Sequence, residues 1–470
     1  YWNPAMWRVE VARNVWSARI GKPQRPIFPD LARRVIVTLF EGVIVSLIAQ
    51  MSLLPLSIWY FNRIAVGSVI LNLWVGIWLA AECFAATLTM LVSTFSDELA
   101  APFAVLTGLV NALLLGLPQI FEAVGPHVSR AAIYSGGGSI LYFVYFIPVV
   151  FIGYLAMTWD PFVPSGRRRR SIVPVMALTI LLASALALHP FSAPPADGRL
   201  RIDFLDVGQG DSTLITFPNG ETMLVDGGGR PRRGPEQDGN DDFEPDRTTI
   251  GEAVVSRFLW HRGLYRIDYL VATHADADHV QGLVDVARNF EIGRAFYGRH
   301  APDDSDFAQL KDVIHDRRIR FTPLGSRDSL DIGGVRIDIL NPVPDAPRGS
   351  ANNDSLVLRI SFGRRTVLLT ADIEAPVESR LIAGGEIREA DVVRTAHHGS
   401  RTSSTAAFVA ATHPKYAVIS VGRRSTFGHP HREVIESWVE SGAHVLTTGE
   451  SGTITLVTDG SDINVQTRVK

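Results

Sequence analysis

The chain has 470 residues, enough for more than one domain, and its net charge of −3 provides no overall basic field of the kind that attracts nucleic acid. Its single cysteine, Cys83, excludes a disulfide framework and a cysteine-based zinc site. Charged residues are rare from about residue 35 to residue 158 and frequent after about residue 200, so the composition divides the chain into an apolar and a polar part. Because the sequence begins with Tyr1 rather than Met, we expect it to be a fragment of a longer protein.

The apolar part contains five candidate membrane-spanning segments. Residues 139–158 and 171–190 each provide about 20 apolar residues without a charge, which is the length that spans a bilayer. Residues 35–58, 66–95 and 99–121 are less clean candidates, and 66–95 is long enough to be a re-entrant or amphipathic segment instead. Two carboxylates, Glu41 and Glu82, fall inside these segments, where they should either line a polar conduit or form a buried hydrogen bond between helices.

The distribution of basic residues predicts the orientation of the membrane segments. Four arginines at 167–170 separate the last two segments, and Arg and Lys dominate residues 1–34. Lys and Arg accumulate on the cytoplasmic side, so both regions should lie inside the cell. We therefore expect everything after residue 190 to lie outside.

The polar part alternates short strand-like runs with helix-like runs, and FGRR at 362–365 predicts a hairpin between two strands. This order favours mixed sheets with helices on their outer faces. We predict a membrane region at 1–190, a proline-containing linker at 191–198 and an α/β domain at 199–470. The charged stretch 231–247 lacks apolar periodicity and is predicted to be a mobile loop.

Polar residues that can bind a metal follow three strand-like runs. THADADHVQG at 273–282 contains four of them, LLTADIE contains one, and VVRTAHHGS contains two: His274, Asp276, Asp278, His279, Asp372, His397 and His398. Burying His and Asp is costly unless they are paired or coordinated, which makes a merely solvated turn the less favoured explanation. Three such strand ends can share one edge of a sheet, the usual position of an α/β active site. An acidic residue from a different strand could then bridge two metal ions roughly 3.5–4 Å apart.

HxDxDH, followed by an isolated Asp after a strand and then by HHG, resembles the metallo-β-lactamase superfamily, whose usual form is HxHxDH. The resemblance implies an αββα sandwich with a dinuclear metal site bridged by Asp372. In this scheme His274 and Asp276 hold one metal. The other metal is held by the remaining candidates: Asp278, His279 and one of His397 and His398. By analogy with the superfamily's GHG form, His398 is the favoured ligand and His397 its neighbour.

The sequence departs from the superfamily pattern in two ways that leave the metal open. Asp276 stands where His is usual, and the superfamily's separate middle histidine is not evident, because His300 and His315 lie in loop-like and helix-like contexts. Asn352 is an alternative occupant of that region. Hard oxygen ligands suit Mn²⁺ or Mg²⁺ better than an all-histidine site does, so two divalent ions, Zn²⁺ or Mn²⁺, are both compatible with this set.

A wider set of motifs is similar to the C-terminal domain of the ComEC family of competence proteins. The motifs cover roughly residues 200–458: FLDVGQGDSTLI, MLVDGG, THADADHVQGL, NNDSLVL, LLTADIE, AHHGS and FGHP. In the apolar part, YFNRIAVGSVILNL at 60–73 is similar to the family's competence-domain pattern. The resemblance implies a DNA-uptake protein with a polytopic α-helical membrane region followed by a metallo-β-lactamase-like domain.

Two further motifs add candidate catalytic residues. In DVGQGD, Gly208 and Gly210 permit a tight turn, and the flanking Asp206 and Asp211 either orient metal ligands or merely cap the turn. His429 in FGHP either lines the substrate cleft or is structural.

These inferences lead to one favoured function and two alternatives. The favoured function is DNA internalisation at the plasma (inner) membrane. It combines a channel region with a metal-dependent nuclease on the extracytoplasmic side that degrades one strand; Asp278 orients the attacking water. The expected partners are DNA, the lipid bilayer and other DNA-uptake proteins. The alternatives are a hydrolase of small phosphodiesters or thioesters, and a non-enzymatic transporter whose soluble domain is stabilised by metal.

Overall fold

The protein, seen in a computed structural model, forms two compact units, Tyr1–Pro190 and Phe191–Lys470. The structure describes these residues: 30–65, 67–124, 128–134, 136–157, 166–189, 196–230, 249–299, 305–425 and 427–468. The predicted loop 231–247 and residues 191–195 of the predicted linker lie outside them.

The first unit is built from long apolar helices, as predicted. Their bounds are Asp30–Phe61, Ser68–Ser93, Asp97–Val124, Ile140–Met157 and Gly166–Leu188. Among the described residues, three segments are long and apolar enough to cross a membrane, namely Ser68–Ser93, Asp97–Phe121 and Gly136–Leu155. Large apolar side chains such as Phe84 and Phe143 are 72% exposed on these helices, which suits contact with lipid.

The other two predicted spans, 35–58 and 171–190, fall on the helices Asp30–Phe61 and Gly166–Leu188. Among the residues whose side chains the structure describes, the apolar parts of these helices are Val45–Phe61 and Ile172–Leu188. The helix Gly166–Leu188 carries the four arginines in its first turns. Residues 66–95 contain one uninterrupted helix rather than a broken re-entrant segment. Glu82 is half-buried on it.

A short antiparallel ribbon joins distant parts of the first unit. Strand β1 (Arg63–Ala65) pairs with β2 (Val128–Arg130). The buried Asn62 precedes β1 with a positive φ of 54°, and its Nδ2 donates to the Ala131 carbonyl at 3.1 Å. Asn62 therefore ends one helix and fixes the strand that follows, which explains an Asn within the YFNR motif.

The second unit contains two facing sheets. The eight-stranded sheet has the order β17-β16-β3-β4-β5-β6-β7-β8 and the seven-stranded sheet the order β15-β14-β13-β12-β11-β10-β9. The strands of the first sheet are β3 Leu200–Phe204, β4 Thr213–Thr216, β5 Thr222–Val225, β6 Arg266–Ala272, β7 Glu291–Tyr297, β8 Phe321–Pro323, β16 Thr453–Thr458 and β17 Ile463–Arg468. Those of the second are β9 Ser329–Ile332, β10 Val335–Asn341, β11 Val357–Phe362, β12 Arg365–Leu369, β13 Val392–Arg394, β14 Tyr416–Ile419 and β15 His444–Thr447.

The alternation of side chains along the strands explains why the sheets are covered on both faces. In β12 and β13, Val367 and Val392 enter the core between the two sheets, whereas Leu368 and Val393 join a second apolar cluster under the helices. Helices Ala375–Ala383, Ala406–Thr412 and Arg432–Glu440 contribute to that second cluster. On the eight-stranded sheet, helix Ala277–Asn289 contacts β6 and packs with helix Ser305–Asp316. The result is the predicted αββα sandwich.

The expectation that three ligand-bearing strand ends share one edge of a single sheet is wrong. β6, which precedes His274, belongs to the eight-stranded sheet. β12 and β13, which precede Asp372 and His398, belong to the seven-stranded sheet. The candidate ligands therefore meet across the sandwich, because both sheets present strand ends at the same end of the core.

One glycine is required where the ligand-bearing helix meets the turn after β5. The Gly282 N–H donates to the Gly228 carbonyl at 2.8 Å, and a Cβ on Gly282 would lie 2.0 Å from the Gly227 carbonyl oxygen. Helix and turn therefore touch backbone to backbone, and no side chain fits between them.

We predict that Gly282→Ala lowers the melting temperature of the full chain despite the better helix propensity of Ala. Overpacking of this kind costs about 1–3 kcal/mol. The measurement is thermal unfolding in detergent, with tryptophan fluorescence as the readout. Gly384→Ala is the matched control, because its Cβ would lie 3.1 Å from the flexible end of Glu386 and at an ordinary contact distance of 3.4 Å from the Arg380 carbonyl oxygen. Equal melting temperatures for the two variants would contradict this account of the contact.

Candidate metal centre

Two histidines and two aspartates of THADADHVQG are brought to one place by a strand end and a helix start. β6 ends at Ala272, the fully buried His274 side chain follows, and Asp276 is the N-cap residue of helix Ala277–Asn289. Asp278 and His279 lie in the first turn of that helix. The short interval between strand and helix thus directs several side chains into the space between the sheets.

The opposite sheet supplies two further groups. Asp372 follows β12, and His398 lies in the short turn Ala396–Gly399 after β13, with a positive φ of 53°. His398 Nε2 lies 3.3 Å from Asp278 Oδ2 and 3.3 Å from Asp372 Oδ2, and His279 Nε2 lies 3.4 Å from the same Asp372 oxygen. Ligand atoms of His274, His279 and Asp372 form one cluster within 4.8 Å of one another, and those of Asp278, His279 and His398 form a second.

A second layer of hydrogen bonds fixes which ring nitrogen faces the cluster. His279 Nδ1–H donates to Asp226 Oδ2 at 2.9 Å, and His398 Nδ1–H donates to the Ser420 carbonyl at 2.9 Å. The hydroxyl of Thr273 donates to the same Asp226 oxygen at 2.7 Å and accepts from His274 Nδ1 at 3.0 Å. Partners of this kind orient the imidazole ligands of metals, and here they leave all three Nε2 atoms directed inward.

The residues present fit divalent cations. The Nε2 atoms of His274, His279 and His398 and the Oδ1 atom of Asp211 are buried without a hydrogen-bond partner. Burying such atoms unsatisfied is costly, whereas imidazole nitrogens and carboxylate oxygens are the ordinary ligands of Zn²⁺ and Mn²⁺. The donor set therefore suits either ion.

The DVGQGD turn packs directly against the helix start that carries Asp278. Asp211 N–H donates to the Asp278 carbonyl at 3.1 Å, and Gly210 has a φ of 109°. A Cβ on Gly210 would lie 2.1 Å from the Asp278 carbonyl oxygen. The glycine is thus required by a positive φ and by close backbone contact, and the turn brings the Asp211 carboxylate beside the cluster.

A buried arginine that the sequence analysis did not single out completes the centre. Arg394, at the end of β13, is 2% exposed, contacts the Asp211 carboxylate and the Ala371 carbonyl, and lies 3.3 Å from Asp372 Oδ1. The two Asp372 oxygens therefore differ: Oδ1 faces Arg394, and Oδ2 faces His279 and His398. In the sequence Arg394 is one Arg after two valines, and only the fold brings it to the carboxylates.

The charges within the cluster lower the pKa values of two of its carboxyl groups and raise those of two of its histidines. Burial by itself would raise the pKa values of Asp278 and Asp372, but His398 and His279 hold both below the usual range for Asp. Burial by itself would lower the pKa of His398, but Asp372 and Asp278 raise it to about 10. Asp372 and Asp226 likewise raise the pKa of His279 well above its ordinary value against the effect of burial. Without a metal, both imidazoles therefore hold protons at neutral pH.

The other predicted site residues lie at different distances from the cluster. Asp276 is 44% exposed at its side chain, and its Oδ2 lies 3.6 Å from His274 Nε2. His397 is in none of the clusters; its Nδ1 lies 3.2 Å from Thr402 Oγ1 and 3.8 Å from Glu374. Asp206 is also in none of them, and its backbone N–H donates to Thr453 at 3.4 Å. DVGQGD thus contributes one carboxylate to the centre rather than two.

A groove of about 310 Å³ opens onto the cluster. Its lining includes Asp276, Asp278, Asp372, His397 and His429. The half-buried His429 ring lies 6.5 Å from the His398 ring, and burial together with the neighbouring His398 and His397 lowers its pKa to about 4. His429 is therefore a neutral imidazole on the groove wall.

The region expected to replace the superfamily's middle histidine does not supply a histidine within the described residues. His315 lies in helix Ser305–Asp316, as its context indicated, and His300 is outside the described residues. Asn352 lies in the short helix Asn352–Asp354 and is in none of the metal clusters.

We predict that metal binding to the metal-free full chain releases protons and strengthens as the pH rises. The pKa values of His279 and His398 are raised, so these rings lose protons when they coordinate a cation at neutral pH. Calorimetric titration with Mn²⁺ or Zn²⁺, in two buffers that differ in ionisation enthalpy, measures the release. Heats that do not depend on buffer, with affinity independent of pH, would contradict the protonation described above.

We also predict that Arg394→Met destabilises the metal-free chain by about 3–5 kcal/mol, because it leaves buried carboxylates without their cation. Saturating Mn²⁺ should restore part of the loss, since the metal faces the same carboxylates. The measurement is the melting temperature with chelator and with Mn²⁺. The matched control is Arg432→Met, which removes an exposed ion pair to Glu436 at 2.7 Å and should change little. A loss equal to that of the control would refute this role.

The chain matches two protein families in different regions. Residues 205–423 match the metallo-beta-lactamase superfamily, and residues 7–160 match the competence protein family. The first match covers the ligand-bearing part of the sandwich, and the second covers most of the helical unit.

The chain is similar to several curated proteins and solved structures. ComE operon protein 3 of Bacillus subtilis is 25% identical over 435 residues, which cover 90% of this chain and 53% of that protein. Recombination protein 2 of Haemophilus influenzae is 28% identical over 54% of this chain and 28% of its own length. The metallo-beta-lactamase fold protein YhfI of Bacillus subtilis is 12% identical with a TM-score of 0.33, covering 53% of this chain and 96% of that one. Zn²⁺-bound PqqB of Methylobacterium extorquens is 12% identical with a TM-score of 0.32, and the similarity covers 52% of this chain and 86% of that one.

The chain therefore spans about half the length of the Bacillus relative and less of the Haemophilus one. Both regions that the motifs predicted are present in the predicted order. The chain therefore combines a competence-protein region of apolar helices with a metallo-beta-lactamase superfamily domain, as its motifs predicted, and it is similar to competence proteins over both.

Proposed function

We propose that this chain takes part in DNA uptake and that its metallo-β-lactamase-fold domain is a metal-dependent nuclease acting on the incoming DNA. The observation that carries the proposal is the convergence of three inward-facing Nε2 atoms and Asp372 Oδ2 at the base of an open groove. Similarity to competence proteins supports DNA as the substrate class.

The proposed ligand roles combine the clusters with the superfamily pattern. His274 would hold one ion together with Asp276, which is in none of the clusters but has its Oδ2 3.6 Å from His274 Nε2. Asp278, His279 and His398, which form a cluster of their own, would hold the other ion, and Asp372 would be shared by both, as the resemblance implies. When bound, two such ions, Zn²⁺ or Mn²⁺, neutralise phosphate charge and make bound water a nucleophile at neutral pH.

The chain's own residues then orient the reactants. Asp278 is 15% exposed at its side chain and lines the groove, so its carboxylate can accept a hydrogen bond from the attacking water. Arg394 holds Asp372 Oδ1 and Asp211 in place and does not reach the groove lining. The neutral His429 on the groove wall can donate a hydrogen bond to a phosphate oxygen without placing another charge beside His398.

The proposed location is the inner membrane, with the nuclease on the extracytoplasmic side. The four arginines lie at the start of helix Gly166–Leu188, and the positive-inside rule assigns that end to the cytoplasm. The chain therefore leaves the membrane on the outer side before the domain begins. Other DNA-uptake proteins are the expected partners there.

The test is DNA cleavage by the full chain in detergent, loaded with Mn²⁺ or Zn²⁺, against single-stranded and duplex substrates. We expect cleavage by the wild type and only background cleavage by the Asp278→Ala, His279→Ala double variant. His444→Ala, which changes an exposed histidine at the start of β15, should cleave at the wild-type rate. Equal rates for wild type and double variant would exclude the nuclease. Hydrolysis of small phosphodiesters or thioesters without cleavage of DNA would favour the alternative hydrolase.

A further inference from the structure

One side chain at the groove has no role in the site described so far. Among the described residues from 196 onward, only two large apolar side chains are strongly exposed, Phe427 at 52% and Val439 at 56%. Phe427 lines the groove together with Asp278 and Asp372, whereas Val439 lies on helix Arg432–Glu440 and lines no described groove. An exposed aromatic ring beside a candidate active site is a candidate ligand contact.

Phe427 is connected to the metal centre through a row of rings. Its ring centroid lies 6.1 Å from that of His429, and the His429 ring lies 6.5 Å from that of His398. The Phe427 and His429 planes are inclined by 31°, and those of His429 and His398 by 27°. A flat group resting on Phe427 would therefore lie close to a phosphate bound at the cluster.

The segment that carries Phe427 is held in place. We call residues 422–425 and 427–429 the Phe427 loop. Ser425 Oγ donates to Gln209 Oε1 at 3.0 Å, which ties the loop to the DVGQGD turn. A Cβ on Gly422 would lie 3.2 Å from the Gly208 backbone, so the two turns are in close contact. Phe427 is thus exposed on a loop that its contacts with the DVGQGD turn hold in place.

The same loop carries two exposed positive charges. Arg423 and Arg424 are both exposed, and neither forms an ion pair with another described residue. Exposed cations next to an exposed aromatic ring are the combination by which proteins bind single-stranded nucleic acid: the cations follow the phosphates and the ring stacks on a base. A groove for a small apolar ligand would not need the two arginines.

We infer that Phe427 is the stacking platform for an unpaired nucleobase adjacent to the scissile phosphate, with Arg423 and Arg424 beside the flanking phosphates. The inference rests on the proposed nuclease function and deepens it. It assigns an unstacked, single-stranded segment of nucleic acid as the substrate at this position, because a base within a duplex offers no free face to Phe427.

The test measures equilibrium binding of a non-cleavable phosphorothioate oligonucleotide to the full chain in detergent, with fluorescence anisotropy of the oligonucleotide as the readout. Stacking on one aromatic residue contributes a factor of roughly 5 to 150 in affinity, so Phe427→Ala should raise the Kd by that factor. A second series carries an abasic site at each position in turn. When the abasic site is at the stacked position, wild type and Phe427→Ala should bind the strand with equal affinity. When 2-aminopurine is placed at that position, only the wild type should quench its fluorescence.

Three controls separate the possible causes of a change. Phe427→Tyr keeps a stacking ring and should bind as the wild type does, and Val439→Ala removes the other exposed apolar side chain without effect. Arg423→Ala should weaken binding for all strands alike and reduce its salt dependence. The inference is overturned if Phe427→Ala binds as the wild type does, if it weakens intact and abasic strands equally at every position, or if the wild type binds no oligonucleotide. Base-dependent binding without any cleavage would instead refute the proposed nuclease while supporting the platform.

Discussion

The Asp372 carboxylate is the contact on which the candidate centre depends. It follows a strand of the seven-stranded sheet, yet its Oδ2 lies 3.4 Å from His279 of the opposite side of the sandwich and 3.3 Å from His398 of its own side. Its Oδ1 is occupied by Arg394 at 3.3 Å. Because the two oxygens have different partners, only one of them is directed at the cluster, and that oxygen lies between the two groups of ligands.

Charge balance explains why such a cluster can be buried. Asp211, Asp226 and Asp372 are nearly inaccessible, and isolated carboxylates would not remain ionised there. Arg394 supplies a permanent cation, and His279 and His398 supply protons that a metal ion can replace. The carboxylates of the domain are therefore paired with cations in the metal-free state, and a bound metal ion would replace the protons of His279 and His398, so that metal binding would depend on pH.

The groove and its surroundings carry two chemically different sets of side chains. The base of the groove is acidic and rich in histidine, and Phe427 is part of its lining. Arg423 and Arg424 are exposed on the loop that carries Phe427. In a nucleic-acid strand, phosphates alternate with nucleosides along the backbone. A phosphate at the base of the groove would therefore have a base within reach of Phe427. Because the chain has a net charge of −3 overall, attraction of the proposed DNA substrate would depend on such local groups rather than on the whole molecule.

The sequence by itself determined the elements and the ligand types. Apolar runs with few charges predicted the long helices, and short strand-like runs between turns predicted the strands. Polar residues that follow strands marked seven candidate ligands: His274, Asp276, Asp278, His279, Asp372, His397 and His398. These signals are local, since each depends on residues close together in the chain. Only the tertiary structure decided which strand ends meet, that they come from two sheets, and that Arg394 lies among the carboxylates. Contacts across a sandwich join residues far apart in sequence, and no local pattern records which of several buried side chains face one another.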